Sequence, residues 1–254
     1  VPWSLVRGRL RVFLLSLGLF GVCGLARAAT PEGLQLELTP YVWAAGIDGE
    51  ITAQGQTVNF DYSFTDLVSK VDVGFMGLAI ASYDRFVVYV DYDYIGLEND
   101  ATATAGVILP PGTEVQADID TTIATYAAGY RFDLFGKGTI DVMLGARTLS
   151  LDETLKISNV KLDNKSSLTD TIIVLRPSLQ LSERWRFNPT LSYGVSGDSD
   201  TTYELAPQVQ FDFSKSFAMR FGYRSLYYEE GSADKVDIDM SGLFVGVGWI
   251  LSGR

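Results

Sequence analysis

The feature that most constrains this chain is a strict two-residue alternation. Phe217, Met219, Phe221 and Tyr223 share one side of an extended segment, and Arg220 and Arg224 fall on the other. Trp185, Phe187, Pro189, Leu191 and Tyr193 oppose Arg186, Asn188, Thr190 and Ser192 in the same way. Tyr203 to Phe213 opposes Glu204, Gln208, Gln210 and Asp212, and Phe86 to Tyr94 opposes Asp91 and Asp93. Ile140, Val142, Leu144 and Ala146 oppose Asp141 and Arg147. Successive side chains of a strand point to opposite faces. Each segment therefore has one apolar face and one polar or charged face. The segments run roughly 10–15 residues, longer than the ~5–6 of a soluble strand. Long alternating strands predict an all-β fold, an antiparallel up-and-down transmembrane β-barrel.

The connections agree. Asp84-Arg85, Phe135-Gly136-Lys137-Gly138, Ser182-Glu183-Arg184 and Ser214-Lys215-Ser216 read as short turns. Longer acidic or polar connections lie between them, near 97–117, 153–168, 195–201 and 229–235. Bacterial barrels alternate short periplasmic turns with longer outside loops. Strands are expected near 34–45, 47–54, 56–63, 71–83, 86–97, 117–132, 138–152, 168–181, 185–196, 201–213, 217–229 and 235–251. That is about twelve, an even number. The second reading is a ten-stranded barrel with a short N-terminal hairpin laid aside. Residues 64–70 read as an outside connection with a helical turn.

Aromatic residues sort by strand end, which a soluble sandwich does not require. Phe86, Phe132, Trp185, Phe187, Phe211, Phe213, Phe217 and Trp249 lie near a short turn or the chain end. They read as membrane-interface aromatics. Tyr92, Tyr94, Tyr193, Tyr203, Tyr223 and Tyr227 lie toward the long connections.

Residues 1–29 read as a secretory signal peptide, and 30–254 as the barrel. Arg7, Arg9 and Arg11 precede an apolar run, Val12 to Leu25, and Ala26-Arg27-Ala28 has small-residue cleavage spacing. The apolar run is too short to span ~30 Å of hydrocarbon as a helix. Removal of this segment takes four arginines and no acid, leaving 16 basic and 31 acidic residues, a net charge of −15. It also takes Cys23, the single cysteine. A cysteine-free exported chain forms no wrong disulfides in an oxidising space. The acidic balance argues against nucleic acid as a partner.

An outward Arg or Lys at mid-bilayer costs ~2–4 kcal/mol. The charges of the polar faces are therefore expected to line the lumen: Glu37, Asp61, Asp72, Asp91, Asp93, Arg131, Asp141, Arg147, Arg176, Arg186, Glu204, Asp212, Arg220 and Arg224. Two outcomes follow. The charges pair across the interior, for which arginine's planar fork suits carboxylates, or an unpaired subset lines a water path and selects solutes. The chain contains no histidine, so the commonest general base and metal ligand is absent. No catalytic residue, cofactor or metal site is assigned, and the chain is read as a non-enzyme. Asp91 and Asp93 could share a proton or a cation, and Asp198, Asp200 and Glu204 crowd one outside loop where calcium could bind. A paired or solvated face is the simpler account of both.

Gly246, Trp249 and Leu251 resemble the C-terminal signal by which outer-membrane barrels are recognised for insertion. That signal usually closes on an aromatic, where this chain has Leu251. Pro40-Tyr41-Val42-Trp43 with Gly46 and Gly49, Ser63-Phe64-x-Asp66-Leu67, Asp72-x-Gly74-Phe75-Met76-Gly77, Gly129-Tyr130-Arg131-Phe132, Tyr193 to Asp200 and Gly222-Tyr223-Arg224-x-Leu226 follow in order over nearly the whole chain. In these stretches it resembles a set of uncharacterised outer-membrane β-barrel proteins of proteobacteria. The resemblance implies fold and location, and no activity.

The expectation is thus an outer-membrane barrel of a Gram-negative bacterium, a narrow pore for small solutes or a structural envelope component. The alternatives are a surface recognition or adhesion protein acting through acidic loops and a histidine-free lipid-modifying enzyme. Expected partners are outer-membrane lipid and lipopolysaccharide, and the barrel-assembly machinery during insertion.

Overall fold

In hydrocarbon no water bonds to free backbone groups, so a sheet crosses a membrane only by closing on itself. The computed structural model describes residues 33–53, 56–102, 114–134, 136–157, 160–231 and 235–252. The signal-peptide reading of 1–29 lies outside them, as does most of the tip of the 97–117 connection. The first strand, β1 (Leu34–Ala53), pairs antiparallel with the last, β13 (Lys235–Ser252), from Gln35 opposite Ser252 to Thr52 opposite Lys235. On its other side the first part of β1 pairs with β3 (Val71–Tyr83). The ring then follows chain order through β4 (Phe86–Thr102), β5 (Glu114–Asp133), β6 (Gly138–Ile157) and β7 (Val160–Gln180). Next come β8 (Trp185–Phe187) with β9 (Thr190–Gly197), β10 (Thr201–Ala206) with β11 (Gln208–Asp212), and β12 (Phe217–Glu230), which pairs β13 and closes the ring.

Among the described residues this ring has ten staves. β8 and β9 continue one another across Asn188-Pro189, and β10 and β11 across Pro207; proline supplies no N–H to a ladder. β2 (Gln56–Tyr62) pairs only β1 and stands outside the ring. The twelve-strand count is therefore corrected to the second reading, ten staves with a hairpin aside. β1 does not break near Gly46: Gly46 pairs with Ser241 and Gly49 with Ile238. A short helix, α1 (Phe64–Val68), follows β2, with Ser63 and Asp66 forming its capping box.

The 153–168 connection is also corrected. It is paired strand almost to its tip, with Glu153 opposite Asn164 and Ile157 opposite Val160. β-Branched and polar residues sustain a strand in water as well as in lipid, so the alternation does not mark the membrane's edge.

Burial is inverted relative to a water-soluble protein. Val42, Phe75, Phe86, Leu144, Leu243 and Val245 are exposed, whereas Asp91, Asp93, Asp141, Arg147, Arg176, Glu204, Arg220 and Arg224 are buried. Apolar groups outside and paired charges inside are the distribution of a transmembrane barrel.

The apolar outer face ends near Tyr223 and Leu243. Above it Asp61, Asp48 and Asp239 lie directly opposite one another on β2, β1 and β13. Partial burial pushes the Asp48 carboxyl up, with Asp61 and Asp237 adding to it. Burial and then Asp48 raise Asp239. A carboxyl raised in the folded state takes up protons on folding. This end is therefore steadiest below the ordinary aspartate value of ~3.9 and weakens as pH climbs through the raised values. Asp48→Asn should slow amide exchange of the outer β1–β13 pairing at neutral pH and lose that advantage in acid. Faster exchange in the variant at neutral pH would contradict this account.

Candidate functional site

The interior is organised around Arg224. Its position on β12 shares the inward phase of Arg220, and the staves facing it bring carboxylates from across the ring. Arg224 Nη1 donates to Asp93 Oδ2 at 2.8 Å. Its Nη2 lies 2.9 Å from Asp91 Oδ2, and its Nε 2.9 Å from Glu204 Oε1. The Tyr41 hydroxyl accepts from Arg224 Nη1 at 2.8 Å and stands 2.8 Å and 2.6 Å from Asp91 and Asp93. One hydroxyl proton is thus placed between two carboxylates. The indole of Trp43 lies under the guanidinium, 4.6 Å from ring centroid to Cζ, a cation–π contact.

Glu204 also pairs with Arg147, which is fully buried. Arg147 donates to Thr125 Oγ1 at 3.1 Å and to Ser192 Oγ at 2.7 Å. β1, β4, β5, β6, β9, β10 and β12 are joined by this one network, which crosses the lumen. Toward the loop end, Trp43, Ile123, Leu149, Leu226, Tyr228 and Met240 pack as an apolar layer.

Toward the turn end lies a polar vestibule of about 530 Å³. Arg220 pairs with Glu37 at 2.6 Å. Arg131 grips Asp141 with two bonds, at 2.6 and 2.9 Å. Arg176 sits 3.8 Å from the same carboxylate and over the Tyr89 ring. Arg186 pairs with Asp212 at 2.6 Å. Ile80, Val87, Tyr89, Met143, Ile172 and Val174 fill the lumen beside it.

Twelve of the fourteen charges singled out from sequence thus lie in these pairs and networks. Asp61 and Asp72 do not. Asp61 is exposed on β2, outside the ring, and Asp72 is exposed in an irregularity of the β3–β4 ladder near the outer end of β3. The loop trio is dispersed as well, because Glu204 points inward while Asp198 accepts from the Thr169 amide at 2.8 Å. Among the described residues no cluster of three acids could hold a metal ion.

Sequence reasoning missed Tyr41, Trp43 and Thr125. Tyr41 and Trp43 share the inward phase of Glu37 on β1, which was the available signal. Turn-end aromatics touch one another on the outside: Phe86 with Tyr130, Tyr130 with Phe132, Trp185 with Phe211, Phe211 with Phe213, and Phe217 with Trp249. Phe187 lies half-buried on β8. Trp249 and Leu251 face outward on β13, and Gly246 is buried.

No family model matches this chain, and no curated protein is similar to it in sequence at a significant level. Solved structures are similar in fold. The outer membrane protease OmpT from Escherichia coli superposes with a TM-score of 0.58 at 7% identity, covering 87% of this chain and 98% of that one. The translocator domain of the autotransporter NalP from Neisseria meningitidis gives 0.43 at 13% identity, covering 88% and 90%. The attachment invasion locus protein Ail of Yersinia pestis gives 0.38 at 10%, covering 87% and 100%. The fold and its inverted faces define an outer-membrane β-barrel protein.

Removing one partner of a buried ion pair costs about 3–5 kcal/mol, because the other charge stays buried without compensation. Arg224→Met strands Asp91 and Asp93 and leaves Glu204 with Arg147 alone. Unfolding in phospholipid vesicles should show a loss of that size. Lys161→Met, which breaks an exposed pair with Asp163, should cost about 0–1 kcal/mol. Equal effects would contradict the assignment of Arg224 as the keystone of the lumen.

Proposed function

We propose that this protein is a closed outer-membrane barrel that serves the envelope as a structural component, not as an open pore. The observation that supports this reading is the network of Arg224, Asp91, Asp93, Glu204, Arg147 and Tyr41, which joins opposite walls at mid-lumen. A charge that selects a solute must be free to meet it. These charges are bound to one another. The apolar layer toward the loops adds a second barrier, and the vestibule is a blind recess open toward the turn end.

No catalysis belongs to this reading. Asp91 and Asp93 are held by Arg224 and Tyr41 and are not poised as an acid pair for a substrate. Its partners are outer-membrane lipid and lipopolysaccharide around the wall. The barrel-assembly machinery acts during insertion, with Gly246, Trp249 and Leu251 on the closing strand as the recognised residues.

The test is single-channel conductance of the refolded protein in a planar bilayer, after a heat-shifted gel band confirms folding. The expected record shows no discrete steps. Steps with a defined ion preference would overturn the closed-barrel reading.

A further inference from the structure

The ring is not sealed along its whole height. β1 and β3 pair from Leu34 opposite Tyr83 only as far as Pro40 opposite Gly77. Above that rung β1 has no ladder partner on this edge until Ile47 meets Tyr62 of β2. Residues 41–46 of β1 therefore run beside residues 71–76 of β3 without pairing. The Trp43 amide donates instead to the thioether of Met76, at 3.2 Å. The sequence builds this parting. Pro40 cannot donate to a ladder, an irregularity sits between Val71 and Val73, and β2 occupies the upper edge of β1.

A cavity of about 210 Å³ fills the parting beneath α1. Its walls are largely apolar, with Val42, Trp43, Leu67, Val68 and Met76 among them, and Asp93, held by Arg224, lies at its inner end. Val42 points outward and is 60% exposed, whereas Trp43 points inward and is 4% exposed. A cavity that touches both faces of β1 passes its edge. It therefore connects the lipid side of the wall with the apolar layer of the lumen.

We propose that this cavity is a binding site for the acyl chain of a membrane lipid, entering sideways between β1 and β3. It is larger than the ~150 Å³ apolar cavity that stays dry and binds benzene. Its mouth lies in the hydrocarbon band, where acyl chains are the surrounding solvent. An apolar chain in it restores the dispersion contacts that the parted strands forgo. The site is independent of whether the lumen conducts.

The test uses Trp43 as the reporter. Replacing Trp3, Trp185 and Trp249 by phenylalanine leaves Trp43 the only tryptophan of the four. The protein is folded into phosphatidylcholine vesicles whose acyl chains carry bromine, a short-range quencher. Trp43 is expected to lose most of its emission there, and to keep it when Gly74→Phe fills the cavity. A Cβ on Gly74 meets nothing closer than 3.7 Å, so the site accepts a side chain. Unchanged emission in a folded barrel overturns the proposal. So does quenching by dissolved bromobenzene but not by brominated lipid, which assigns the cavity to free small solutes. Should the tryptophan replacements prevent folding, native mass spectrometry of the unaltered chain decides: a retained lipid per barrel supports the site, and none overturns it.

Discussion

Exclusion of water from the membrane band is the constraint on which the rest of this structure depends. It acts on the backbone first. Every N–H and C=O must find a partner, which forces the sheet to close from β1 onto β13. It acts on side chains next. With lipid outside, the charged face of each strand has only the lumen to enter. A ten-stave lumen is narrow, so charges brought inside meet one another before they meet bulk water. Arg224 is the place where this is most complete. Its three nitrogens face three carboxylates and a tyrosine drawn from staves that are far apart in the chain.

The same constraint explains the layering. Paired charge is tolerable at mid-lumen only where each group is also hydrogen-bonded, and Thr125, Ser192 and Tyr41 supply those bonds. Above the network, apolar side chains fill the space. Below it the pairs loosen toward the turn end, from buried Arg220 with Glu37 to part-exposed Arg186 with Asp212. The one relaxation of closure among the described residues is the parting of β1 and β3 above Pro40. It coincides with a largely apolar cavity whose inner end reaches Tyr41 and Asp93 of the charged network.

Much of this was legible in the sequence. Alternation placed Arg220, Arg224, Asp91, Asp93, Glu204 and Arg147 on inward faces, because a period of two is a property of the single strand. Which of them meet was not legible. Arg224 and Asp93 are 131 residues apart, and their contact exists only once the ring has closed to this width. The stave count was obscured for a related reason. Gly46 and Gly49 look like a break in β1, yet cross-strand pairing with β13 carries the strand through them. Asp61 and Asp72 shared the alternation of the lumen charges but lie beyond or outside the ring, where water removes the reason to face inward. Tyr41 and Trp43 were hidden by type: aromatic residues in a barrel are read first as lipid-facing, and only their phase with Glu37 marks them as interior.

Closure of the lumen at mid-height is the central claim, and its most direct measurement is cysteine accessibility on the two sides of that level. In a Cys23→Ser background, Ser178→Cys in the vestibule and Thr125→Cys beside Arg147 would each be exposed to a small, charged, water-soluble thiol reagent on both sides of a lipid bilayer. Rapid labelling at 178 with protection at 125 is predicted. Equal labelling at both would mean that water passes Arg224, and that the barrel is open.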